Sequence, residues 1–184
     1  MNKLYMLLLG CKPDGRHTEQ HDVLFSIGTR LGDLKTQIED FWPEANGRIH
    51  LDAWREVTSV NGYQIEVVEK TEASAEKKEK LFFINLGGYT EGLFAEQHYI
   101  LLSVNETNGE ATKYAKETLF YQETNFPGAE SHIDDKYAVD VDDVYDVEDI
   151  LSPALKEKYT IKISKNESLP EDEMHLGYFK MSRL

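Results

Sequence analysis

Residues 3 to about 68 of this 184-residue chain recur at 80 to about 150, and that internal duplication limits the possible folds more than any other feature. At an offset of 77, ten of 26 positions in 3–28 are identical in 80–105: Lys3, Leu4, Leu9, Gly10, Gly15, Glu19, Gln20, His21, Leu24 and Ser26. A five-residue insertion shifts the offset to 82, and 50–66 then match 132–148 at His50, Asp52, Val57, Tyr63 and Glu66. Fifteen identities in 43 positions compare with about three expected from average composition. A repeat of this length marks a duplicated domain unit and not a solenoid.

Each copy reads as the same string of elements. Lys3–Gly10 is apolar and β-rich, and Pro13-Asp14-Gly15 supplies a turn, Pro presetting φ and Gly accepting φ > 0. Glu19–Ile27 alternates, with His21, Val23, Phe25 and Ile27 on one side and Gln20, Asp22, Leu24 and Ser26 on the other. The two segments predict a β-hairpin. Leu31, Leu34, Ile38 and Phe41/Trp42 recur at helical spacing, and Pro43 with Asn46-Gly47 ends the helix. Ala111, Ala115 and Leu119 fill that stripe in the second copy, whose insertion predicts a helix about one turn longer. Strands over Arg48–Val60 and Tyr63–Val68 follow, joined by Asn61-Gly62, a two-residue hairpin signal. Asp142-Asp143 at the corresponding place predicts a less regular turn.

The organisation expected is a first unit over 1–68, a charged linker over 69–79, a second unit over 80–151 and a tail over 152–184. In the tail, Tyr159–Ile163 and His175–Met181 read as a strand pair around the polar stretch Ser164–Glu173. The fold class is α+β, two pseudo-symmetric ββαββ repeats with a C-terminal β-hairpin extension, the extension covering a sheet edge of one repeat or of a partner chain.

A formal net charge of −14 argues against direct nucleic-acid binding and against an anionic membrane surface, both of which need Lys/Arg-rich faces. The single cysteine, Cys11, excludes an internal disulfide framework and every multi-cysteine zinc pattern, and it fits a cytoplasmic protein. The apolar start through Leu7-Leu8-Leu9-Gly10-Cys11 has the look of a short secretion signal. The same segment recurs inside the chain at Lys80–Gly88, so it reads as a buried strand. No apolar run reaches the ~18 residues of a membrane helix.

The strings LGCKPDGRHTEQHD, RIHLDAWREV and GYQIEVVE, with LGGYTEG, EQHYILLSV and SHIDDKYAVDVDD in the second copy, resemble a bacterial family, domain-of-unknown-function family 1543, whose members carry one or two copies of the unit. The likeness covers about 3–151 and leaves the tail out. It implies a small bacterial cytoplasmic protein and a fold. It implies no activity, cofactor or catalytic residue.

The recurrent polar residues form the one candidate binding set: Glu19, Gln20, His21, His50 and Asp52, and in the second copy Glu96, Gln97, His98, His132 and Asp134. Residues i and i+2 share a strand face, so Glu19 pairs with His21 and His50 with Asp52. Two imidazoles and two carboxylates per unit suit a divalent metal or acid–base work. The leading reading is the blander one: His21 is a hydrogen-bonded rim residue of the core, His50 and Asp52, opposite Ile49, Leu51 and Ala53, need not meet it, and no metal is expected, with His21, His50, Asp52, His98, His132 and Asp134 the candidates if one binds. Cys11 is a weaker nucleophile candidate, since the second copy has Gly88 there and a buried strand-end thiol is inert. Asp134–Asp149 holds eight acidic residues, yet Asp140-Val141-Asp142-Asp143 lacks the Gly and Glu of a calcium loop and reads as a solvated acidic edge.

The reading that follows is a protein of unknown function, a non-catalytic cytosolic binding or protein-interaction module with a protein or small-molecule partner and no predicted cofactor. The alternative is a metal-dependent or acid–base enzyme using the Glu-x-His and His-x-Asp residues. A weaker one is an acidic decoy of a nucleic-acid-binding protein, since residues 77–184 carry −9 against −5 for 1–76.

Overall fold

A computed structural model describes residues 1–70, 77–89, 92–118 and 139–184. The fold class is α+β, in two compact units: Met1–Ser74 with Leu151–Leu184, and Ala75–Ile150.

In the first unit β1 (Lys3–Cys11) and β2 (Gln20–Gly28) form the expected antiparallel hairpin. A 3-10 turn, Leu31–Leu34, runs into α1 (Lys35–Phe41), and β3 (His50–Glu56) returns along the other side of β1. Alternation along β1 sends Tyr5, Leu7, Leu9 and Cys11 to one face, where they pack with Leu24, Leu51 and, from the helical segment, Leu34, Ile38 and Ala45. Trp42 packs against this core, whereas Phe41, expected to be buried, is exposed. Leu34, Ile38 and Trp42 are four apart and make the stripe, and Phe41 lies one residue off it. The strand expected over Arg48–Val60 breaks after Glu56, and only β4 (Ser59–Val60) pairs with β5 (Tyr63–Glu69). The turn between them places Asn61 at φ 35 and Gly62 at φ 85, the left-handed pair that a two-residue hairpin demands.

The tail strands exist, but they do not form a hairpin. β9 (Tyr159–Lys165) adds to β5, and β10 (His175–Lys180) adds to β3, giving sheet orders β4-β5-β9 and β10-β3-β1-β2. Both outer edges have backbone groups in need of partners, and the polar connection between the strands is long enough to serve both. Phe179, Met181 and Leu184 then close the core, so the segment read as a separate tail completes the first unit. Asp172, in the connection, accepts from Thr58 N, Ser59 N and Thr58 Oγ1, the last at 2.6 Å, and pins the break after β3.

The second unit has β6 (Lys80–Tyr89), β7 (Glu96–Asn105), α2 (Asn108–Lys116) and β8 (Val139–Asp146), in sheet order β7-β6-β8. Phe82, Ile84 and Leu86 bury one face against Ala111 and Ala115 of α2. Thr107 and Glu110 cap α2 reciprocally. Among the described residues α2 is no longer than the helical segment of the first unit, and Leu119 lies outside them. The fifth strand is also absent from the described part of this unit. Asp142 and Asp143 lie inside β8 and not in a turn, and Val147–Ile150 is a helical turn started by Asp146, whose Oδ1 accepts from Glu148 N.

The two sheets share one register. Gly10 stands opposite His21 and Gly87 opposite His98. The β1–β3 ladder shifts between Leu8 and Leu9, and the β6–β8 ladder shifts between Asn85 and Leu86, the positions 77 residues on. Lys3 pairs with Glu56 at 2.7 Å and Lys80 with Asp146 at 2.9 Å. Buried Val57 and Val147 come next in each chain segment. This register corrects the sequence alignment of the second copy. Opposite Gly10 stands His50, and opposite Gly87 stands Asp140, so Asp140 and Asp142 take the places of His50 and Asp52. His132 and Asp134, expected there, lie outside the described residues.

Candidate functional site

Four of the five candidate residues of the first unit, Glu19, His21, His50 and Asp52, converge on the sheet face away from α1. Leu9 and Leu51 point to the helix side, so Gly10, His21 and His50, which alternate with core residues, point the other way. They form one cross-strand row, His21–Gly10–His50. Strands two apart are separated by roughly 10 Å, and ordinarily the middle side chain fills that interval. Gly10 has none. A Cβ there would sit 2.5 Å from both Asp52 Oδ2 and His50 Nε2, so the glycine is what lets the flanking side chains meet. The bulge contributes too. With Leu8 paired to Ala53 and Leu9 to Leu51, Asp52 is the extra residue, and its carboxylate is re-aimed over Gly10.

Four N–O approaches result. His21 Nε2 lies 3.1 Å from Asp52 Oδ2 and 3.8 Å from Glu19 Oε2, and His50 Nε2 lies 3.2 Å from Asp52 Oδ1 and 3.3 Å from Glu19 Oε1. Each carboxylate thus bridges both imidazoles. The His50 side chain is 7% exposed and that of His21 48%, so one ring forms the floor and the other the rim. The Tyr178 ring of β10 lies over His50 at 4.3 Å between centroids. Asp52 Oδ2 is buried and accepts no hydrogen bond among the described residues, with His21 Nε2 3.1 Å away.

The other candidates divide. Gln20 faces the helix side, opposite Cys11, and its amide donates to Thr18 O and Oγ1, so it does not join the cluster. In the second unit His98 approaches Asp142 Oδ2 at 3.5 Å through Nδ1 and Glu96 Oε2 at 3.9 Å through Nε2. A Cβ at Gly87 would meet Asp142 closer still than its counterpart meets Asp52. Gln97 stands opposite Gly88. Cys11 is fully buried, donates to Ala45 O on the helix side, and burial pushes its thiol up, away from nucleophilic use. Sequence reasoning missed Gly10, Asp142 and Tyr178. For Gly10 a signal was present, since a glycine repeated at the end of an apolar strand marks a close approach.

Residues 16–67 match the family model described as Domain of Unknown Function (DUF1543), which supports the resemblance over that stretch. No curated protein matches the sequence. The crystal structure of a protein Il1583 from Idiomarina loihiensis is similar over 98% of this chain and 98% of its own, with a TM-score of 0.65 and 18% identity. At that identity the likeness is one of fold. Among the described residues no helix is long and apolar enough to cross a membrane. The function of the protein is not established by these relationships.

Proposed function

We propose that the protein is a duplicated, non-catalytic binding module of the cytosol, and that the cluster over Gly10 is its ligand site. The shared register of the two sheets supports descent of both units from one. The observation that carries the site is the row His21–Gly10–His50. A side chain is left out where the strand is otherwise apolar, and two imidazoles and two carboxylates gather in the space. Structural polar residues need a hydrogen-bond partner each, and the buried Asp52 Oδ2 has none among the described residues.

The cluster carries two carboxylates and suits a small cation or a donor-rich ligand. The test follows the imidazole resonances of His21 and His50 while divalent ions, amines and small polar metabolites are added in turn. Saturable shifts in both rings, lost in Gly10→Ala, support the proposal. Rings that no ligand moves, or that respond equally in Gly10→Ala, contradict it.

A further inference from the structure

We infer that Arg55 and the apolar row beside it form a further binding site, one for an aliphatic monocarboxylate. The carboxylate pairs with the guanidinium, and the chain lies over Leu176, Ala53, Leu8 and Val23. The site shares a sheet face with the cluster over Gly10 and does not depend on that cluster binding anything.

The guanidinium is the first observation. Arg55 of β3 stands opposite Met6 of β1, on the face away from α1, and is partly buried there. Among the described residues its one hydrogen bond runs from Nη2 to Met6 Sδ at 3.6 Å, and no carboxylate pairs with it. A thioether is a weak acceptor. Burial pulls the guanidinium below its ordinary range, and the Asp172 carboxylate offsets only part of that. Asp172 is itself engaged by Thr58 and Ser59. A partly desolvated cation with no anion is costly, and a planar guanidinium takes a carboxylate through two parallel N–H bonds.

The second observation is the row next to it. Leu176 of β10, Ala53 of β3, Leu8 of β1 and Val23 of β2 stand opposite one another across all four strands. Leu176 is 75% exposed, and the other three are partly buried. Rows on one face lie roughly 7 Å apart, and four strands give a shelf about 14 Å wide, which holds a chain of medium length. The shelf also decides the class of anion. One guanidinium balances one charge, and Glu19 and Asp52 stand on the far side of the shelf, so a second anionic group is repelled.

The second unit shows that the fold does not require a cation at this place. Phe83, 77 residues after Met6, stands opposite Tyr145, and their rings lie 6.3 Å apart between centroids. Asn85 and Asp143 likewise take the positions of Leu8 and Ala53. The charge and the apolar shelf therefore belong to the first unit alone, which sets one site per chain.

The experiment titrates the full chain with sodium octanoate below its micelle-forming range, by calorimetry and by the Nε–H resonance of Arg55. Butanoate, hexanoate, succinate, inorganic phosphate and octanol serve as comparisons. The expected result is one saturable octanoate site that shifts the Arg55 resonance, with affinity rising by up to about fourfold per methylene from butanoate. Succinate, phosphate and octanol bind far more weakly. Arg55→Met replaces a partly buried charge by an apolar side chain of similar length, a change that cores tolerate. With its fold checked by circular dichroism, it weakens octanoate about 10–100-fold. Leu176→Ser alters an exposed side chain, keeps the fold and flattens the dependence on chain length. No saturable octanoate binding in the wild-type protein overturns the inference. So does octanoate binding undiminished in Arg55→Met, or octanol, succinate or phosphate binding as tightly as octanoate.

Discussion

His21 of β2 and His50 of β3 stand in the same cross-strand row on either side of Gly10, and the carboxylates of Glu19 and Asp52 each approach both rings. The contact depends on an omission in the strand between them. Gly10→Ala should lower stability by about 1–3 kcal/mol, as overpacking does. Asp52→Ala should cost less in that background than alone, with a coupling of about 0.5–3 kcal/mol. Urea denaturation of the four proteins measures this cycle, and additive losses would show that the two residues do not compete for the space.

The helices of the two units differ in how they fill the same place. Leu34 and Ile38 meet the first sheet where Ala111 and Ala115 meet the second. Ile38→Ala should therefore cost about 2–5 kcal/mol as a cavity. Ala115→Ile should cost about 1–3 kcal/mol by overpacking. Thermal melts of the full chain check both, and a stabilised Ala115→Ile protein would mean that the second core has room to spare.

Asp172 ties the connection before β10 to the break after β3 through Thr58 and Ser59. Asp172→Asn should lose about 1–2 kcal/mol, the range for hydrogen bonds to a partly exposed charged acceptor. It should also speed hydrogen exchange at Thr58 and Ser59. Unchanged exchange at those two amides would remove Asp172 from this role.

Tyr5 links alkaline stability to the core. Burial first, and then the neighbouring Glu56 carboxylate, push its phenol up from 10.0 to about 12. Since the folded value is raised, the contribution is fully present below pH 10 and is lost as pH rises toward about 12. Stability should fall across that window, less steeply in Tyr5→Phe, and the Tyr5 absorbance should titrate late. Equal slopes in both proteins would contradict the assignment.

Much of the first unit was legible because local rules and tertiary packing agree there. The β1–β2 hairpin, the Leu34/Ile38 stripe and the Asn61-Gly62 turn each follow from periodicity or turn chemistry. What escaped depends on pairing between distant strands. Tyr159–Ile163 and His175–Met181 were readable as strands, but nothing local says that one seeks β5 and the other β3. The second copy misled for a definite reason. His132-Ile133-Asp134 mimics His50-Leu51-Asp52 in letters, while the ladder and the Lys80–Asp146 pair set Asp140-Val141-Asp142 in that register. The convergence of His21 with His50 was hidden because it depends on Gly10, a residue whose role is to be small.

The central claim is that the ligand site lies over Gly10 in the first unit, and comparing His50→Gln with His98→Gln tests it most directly. Imidazole resonances are followed as the ligand that moves them in the wild-type protein is added. The account predicts that saturable shifts of His21 persist in His98→Gln and disappear in His50→Gln. Shifts that persist in His50→Gln and vanish in His98→Gln would place the site elsewhere and contradict the account.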